Sequence, residues 1–417
     1  MKFLQTKYEI WVIFGLISLY LFIVPLFSLQ ISIFNKIVLS SFHFKAIFSF
    51  LLLILLSIKM RKDTIPHDFK KYNFLFYIFI LFNAYIICLN SSIESGFKKS
   101  LLAFAYNYSL TIFIYPYFIL SQNSKPLIHI TCAHKIIMGL SLLLTSWGLY
   151  QFIIEGYIFP DSHITYLYQN DIIKVDHLDT YIRATSFLKS PLEFGIFSTL
   201  IALIALWHLL YREEKIYWYS IIFLLSGLSV FLTLSRTCFL MFLVGTAYLC
   251  YIKMKNLINF IKPIAIGLIV SIPLVFYFSK IFSTAINPQN LYLRIESWIT
   301  IIKNITVDNL HLIMGKGIVQ NGKYGFYHTA MLDNTYLGTI ATGGILGLVL
   351  FLFVWFSVLL ILKERKKRHQ SDQTDILIAF FLAFSAGMLF ENMMHILYYP
   401  LLFSCALSIV EISKKKN

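Results

Sequence analysis

Apolar runs long enough to cross a bilayer follow one another along most of this chain, separated by short charged connections. A helix needs roughly 17 to 25 predominantly apolar residues to span the hydrocarbon layer. Such runs fall near 10–27, 39–58, 72–90, 100–120, 136–156, 191–211, 216–234, 237–252, 263–281, 335–362, 376–393 and 398–412. That makes about twelve spans and predicts an all-α, polytopic integral membrane protein forming a single membrane domain over 1–417. The composition agrees, because only 13% of residues are charged against roughly 25% in a soluble domain. Hydrophobic residues make up 58% and mean hydropathy is +0.74.

The formal net charge of +15 would imply nucleic acid in a soluble chain, but no nucleic-acid-binding module is visible. Lysines and arginines sort by membrane side instead. Of the 35, 22 lie in alternate connections: Lys2 and Lys7, Lys59–Lys71, Lys125 and Lys135, Arg212 and Lys215, Lys253–Lys262, Lys363–Arg368 and Lys414–Lys416. Positive residues collect on the cytoplasmic side, which puts both termini in the cytoplasm. The first apolar stretch offers no small-x-small cleavage site in FSLQIS and reads as an uncleaved helix. The five cysteines have irregular spacing and no CxxC, and read as packing residues.

Two connections break the short-loop pattern. The first, 157–190, is rich in Asp, His and Tyr; the second, 282–334, is longer. Loops of that length in a compact protein are functional or disordered. In the second, Leu291, Ile295, Trp298, Ile302 and Ile305 recur at helical period, opposite Glu296, Ser297, Thr300, Lys303 and Asn304. This predicts an amphipathic helix near 291–305 lying on the membrane or on the bundle, with Arg294 at the margin of the stripe.

Three arginines stand in otherwise apolar surroundings at the external boundary: Arg183 in IRATSFLKSPLEFG, Arg236 in LTLSRTCF and Arg294 in LYLRIESW. A planar guanidinium donates two parallel hydrogen bonds to phosphate oxygens and stays charged when partly desolvated. The pattern therefore fits a phosphate-bearing lipid. The structural alternative is an interfacial anchor, or pairing with Glu193 or Glu296. Arg236 is the sharpest of the three, since Ser235-Arg236 forms a tight hairpin with almost no loop to solvate it.

In HTAMLDNTYL, His328 or Asp333 can take a proton from a sugar hydroxyl, and Asn334 can orient that hydroxyl or a phosphate oxygen. Asp333 or Asn334 can equally cap the helix that follows. Gly343 and Gly347 form a GxxxG, first of all a close-packing signal. Gly315-Lys316-Gly317 is too short for a phosphate-binding loop. His163, His177, His311 and His395 lack metal-ligand spacing, so no metal and no cofactor is expected.

In order and content these motifs resemble the superfamily of Wzy-type O-antigen polymerases and O-antigen ligases, across roughly Asp179 to Phe351. IRATSFLKSPLEFG is similar to its Arg-x-x-Gly-x-Phe-x-x-Pro block, LTLSRTCF to its Ser-Arg hairpin and RIESW to its Arg-x-x-x-Trp helix. MGKGI is similar to the Gly-x-Gly that follows, and DNTYLGTIATGGILGL to its closing (His/Asp)-Asn block. Ser186 stands where that first block usually has Gly. Asp333-Asn334 stands where ligases tend to have His-Asn, and His328 lies six residues before Asn334.

The resemblance implies a GT-C-like membrane glycosyltransferase acting on undecaprenyl-diphosphate-linked oligosaccharide at the outer face of the plasma membrane. Its lipid-diphosphate leaving group needs electrostatic stabilisation more than acid catalysis, a task for Arg183, Arg236 and Arg294. The first expectation is a polymerase of O-antigen, capsule or exopolysaccharide repeat units, working with a chain-length regulator and a flippase. A ligase comes second. A transporter of lipid-linked oligosaccharide comes third, because transporters bind substrate near the bilayer midplane and the charged residues here gather on one side.

Overall fold

A computed structural model describes residues 139, 141–150, 172–175, 179–182, 184, 186, 191–211, 216–253, 288–306, 309–315, 334–369 and 373–391. The spans expected at 10–27, 39–58, 72–90, 100–120, 263–281 and 398–412 lie outside the described residues. The described elements are helical apart from one small hairpin, and they fall in two compact units.

The first unit holds β1 (Ile172–Val175), β2 (Asp179–Ile182), α1 (Pro191–Tyr211), α2 (Ile216–Leu232) and α3 (Arg236–Lys253), with a helical stretch at 141–150. The two strands pair antiparallel, Ile172 opposite Ile182 and Val175 opposite Asp179. They lie inside the first long loop, where the all-helical expectation made no provision for them. Their Ile, Val, Thr and Tyr content suits a pleated strand.

α1 is the core of this unit. Proline at its first position is preset for a helical start, and Glu193 in the first turn suits the positive end of the helix dipole. Seventeen of its 21 residues are buried, as a helix apolar on every side should be. Lipid supplies no hydrophobic drive between helices, so association depends on close backbone approach at small residues. Here a Cβ added to Gly195 would lie 2.5 Å from Cys238 Sγ, and one on Gly245 2.5 Å from Leu203 Cδ1. One on Gly148 would lie 2.4 Å from the Phe194 ring. α1 and α3 are each long and apolar enough to cross a membrane. Outer positions on α2 and α3, among them Tyr217, Ile221, Leu224 and Leu243, remain exposed, a surface that suits lipid and not water.

The second unit holds α4 (Pro288–Thr306), α5 (Asn309–Met314), α6 (Thr335–His369) and α7 (Gln373–Gly387). α6 is longer than the 335–362 expected. At 1.5 Å per residue its 35 residues run on the order of 50 Å, past a hydrocarbon layer of roughly 30 Å. The basic KERKKRH segment thus continues the helix as its charged end. α6 is also broken: Gly344 has φ 65° and ψ −168°. A Cβ there would come within 2.2 Å of the Ile313 carbonyl oxygen and 2.6 Å of the Gly315 nitrogen. The close backbone approach thus falls on Gly344, whereas the sequence pattern pointed to Gly343 and Gly347. Gly315, first glycine of the Gly-x-Gly motif, ends α5 with φ 83°, the left-handed conformation common at helix C-termini.

α6 and α7 are joined by aromatic packing. Trp355 stacks on Phe381 at 4.5 Å and on Phe351 at 6.2 Å, and its Nε1 donates to Ser385 Oγ at 2.8 Å. Lys366 pairs with the buried Asp375 near the start of α7. The opposite face of α6 exposes Ile345, Val349, Phe353, Phe356 and Leu360, spaced three or four residues apart as one lipid-facing stripe. α7 stops at Gly387, short of the expected 393, and turns at 388–390.

Candidate functional site

In the first unit the Ser-Arg motif forms the α2–α3 hairpin. Thr233 and Leu234 close the end of α2 by donating to Ser229 and Phe231 carbonyls at 3.2 and 3.0 Å. Leu234 adopts φ 51°, a left-handed conformation costly for a non-glycine residue. Ser235 then caps α3, its Oγ accepting from Cys238 N at 3.4 Å. Arg236 is the first residue of α3. A cation there faces the positive end of the helix dipole, a placement that costs stability and concentrates positive potential where an anion would be held.

Arg183 lies outside the described residues, but its neighbour Ala184 is buried and donates from its N–H to the Leu232 carbonyl at 3.1 Å. Ser186 Oγ donates to the Leu144 carbonyl at 2.7 Å. Ser186 has φ 54°, which accounts physically for the glycine usual at this place in the motif. The first arginine block and the Ser-Arg hairpin are thus brought together, although they lie about 50 residues apart in sequence.

In the second unit Asn334 is buried at the start of α6. Its Oδ1 accepts from the backbone N–H groups of Tyr336 and Leu337 at 2.9 and 3.0 Å. This is the N-cap arrangement, the structural alternative raised for this residue from sequence. Its Nδ2 donates to the Leu389 carbonyl at 2.9 Å, leaving one amide hydrogen for another acceptor. Asp333 and His328 lie outside the described residues.

Arg294 does not simply rise from the margin of an apolar stripe. Its Nη1 donates to the Phe390 carbonyl at 2.9 Å, while Trp298, one turn on, packs against the Phe390 ring at 6.4 Å. Tyr292, Ile295, Ile299 and Ile302 form an exposed apolar sector beside exposed Glu296, Thr300 and Lys303. Arg294 and Asn334 therefore hold adjacent carbonyls of one turn. That turn, Met388 to Glu391, had no sequence signal beyond the glycine before it. Among the described residues no three His, Cys, Asp or Glu side chains cluster as metal ligands.

Long apolar helices, close contacts at glycine and apolar outer faces define a helical membrane protein. Residues 221–352 match the model of a family described as O-antigen ligase. The matched segment includes Arg236, Arg294 and Asn334, and over it the resemblance read from the motifs is borne out. The match supports a function of O-antigen ligase or polymerase type. No curated protein sequence matches the chain.

Proposed function

We propose that this protein polymerises undecaprenyl-diphosphate-linked oligosaccharide repeat units at the external face of the bacterial inner membrane. It would do so as one membrane domain of about twelve spans, with both termini cytoplasmic and the loops 157–190 and 282–334 external. The observation that carries this reading is the hairpin around Arg236. A guanidinium opens α3, and the segment that carries the first arginine motif is hydrogen-bonded through Ala184 to the end of α2, which supports reading the two motifs as parts of one anion site. A lipid diphosphate is the anion that a site in such apolar surroundings suits.

In the reaction the acceptor hydroxyl of the incoming unit attacks the anomeric carbon of the growing chain. The bond from that carbon to the diphosphate breaks and its electron pair leaves with the diphosphate. Arg183, Arg236 and Arg294 stabilise the charge that develops, with no metal required. Asp333 or His328 takes the hydroxyl proton, and Asn334 offers its remaining amide hydrogen to a substrate oxygen. A flippase supplies lipid-linked units to this face and a chain-length regulator sets when extension stops.

Asp333-Asn334 in place of His-Asn favours the polymerase reading. A ligase moving finished glycan to a lipid or protein acceptor is the second reading, favoured by the description of the matched family. The test is purified protein in vesicles given lipid-diphosphate-linked repeat units alone. Chains of many repeats support polymerase; no extension until a separate acceptor is added supports ligase.

A further inference from the structure

We infer that Thr335 is a positioning residue, which fixes the Met388–Glu391 turn and through it the relation between Asn334 and Arg294. The last carbonyls of a helix have no partner within it, and those that follow α7 need donors from elsewhere. Thr335 supplies two of them. Its backbone N–H donates to the Met388 carbonyl at 2.9 Å and its Oγ1 to the Glu391 carbonyl at 2.8 Å. Between these ends, the Leu389 carbonyl takes Asn334 Nδ2 and the Phe390 carbonyl takes Arg294 Nη1, each at 2.9 Å.

Four successive carbonyls are thus held by three residues, with buried Thr335 gripping the first and the last. The turn is also tied back to α7, since Leu389 N donates to Ala386 O and the Phe390 and Glu391 N–H groups both donate to Gly387 O. The arginine also suits its place, because a cation is favourable at a helix C-terminus. Asn334 and Arg294, 40 residues apart in sequence, are set at adjacent positions on a backbone that Thr335 holds taut. The turn lies beyond the family-matched segment 221–352.

This inference rests on the proposed function for its effect on catalysis, but not for its geometry. Thr335→Val removes the hydroxyl at nearly constant shape, and Thr335→Ser keeps it. With the full chain in nanodiscs, amide exchange across 334–338 and 388–391 should quicken about tenfold in Thr335→Val, the scale of one lost hydrogen bond. It should stay near wild type in Thr335→Ser. With a lipid-diphosphate-linked repeat unit as donor, Thr335→Val should lose about tenfold in kcat with donor KM within about twofold, and Thr335→Ser should restore turnover.

Unchanged exchange in Thr335→Val, or equal acceleration in both variants, would overturn the inference. So would a lowered melting temperature with unchanged kcat. If wild type joins no repeat units at all, the proposed function fails, while the exchange comparison still decides whether Thr335 holds the turn.

Discussion

The N–H of Ala184 donates to the carbonyl of Leu232 across 3.1 Å, tying the residue after one candidate arginine to the helix end that precedes another. The bond closes a long connection and joins the Ser-Arg hairpin to the segment that carries the first arginine motif. It also places Ser186 two residues away, where the backbone turns left-handed.

Ser186 therefore carries two opposed terms. Glycine would relieve a conformational cost of roughly 1–2 kcal/mol and forfeit the bond to the Leu144 carbonyl, worth about 1 kcal/mol. We expect Ser186→Gly to melt within a few degrees of wild type in detergent. Ser186→Val, which loses the bond and adds a β-branched side chain at positive φ, should accumulate poorly in membranes.

Gly195 and Cys238 should behave as a coupled pair. Gly195→Ala drives a methyl to 2.5 Å from Cys238 Sγ, an overlap that costs about 1–3 kcal/mol. Adding Cys238→Ala removes the sulfur and should recover part of that loss, although the Cys238 Cβ at 2.9 Å remains close. Melting temperatures of the two single variants and the double variant measure the coupling; simple additivity would mean the helices do not meet there.

At Gly344 no such relief is available. An added Cβ meets backbone, the Ile313 carbonyl and the Gly315 nitrogen, at a φ that L side chains rarely adopt. Gly344→Ala should cost about 3 kcal/mol or more, read as loss of folded protein in the membrane fraction. Gly139→Ala, with nothing within 4 Å of the added atom, is the control.

Arg236 should separate function from stability. Removing a cation from a helix N-terminus relieves an unfavourable dipole interaction and so offsets part of what is lost with the guanidinium's own contacts; Arg236→Ala should still accumulate folded in the membrane. Turnover of the lipid-linked donor should nonetheless fall by about 100-fold or more, the scale of losing one transition-state donor. A parallel loss of folded protein would assign the residue to structure alone.

How much of this was legible in the sequence varied with the physics of each element. α1 was read to the residue, because an unbroken apolar run follows a proline and ends before Arg212. The break in α6 was not, since Thr342-Gly343-Gly344 in an apolar run gives the same pattern whether glycine supports packing or a kink. The end of α7 was hidden because Met388, Leu389 and Phe390 are as apolar as the helix before them. On α4 the apolar stripe was visible, but periodicity could not tell the side facing protein from the side facing lipid. Arg294 was therefore placed at a margin, and its bond to Phe390 could not be foreseen.

The most direct test of the central claim is the length distribution of surface glycan and of carrier-linked glycan in a strain deleted for this gene, with and without the gene restored. The account predicts that deletion abolishes the ladder, leaving a single repeat on both acceptor and carrier, and that restoring the gene restores the ladder. An unchanged ladder, or long chains stranded on the carrier beside a bare acceptor, would contradict it.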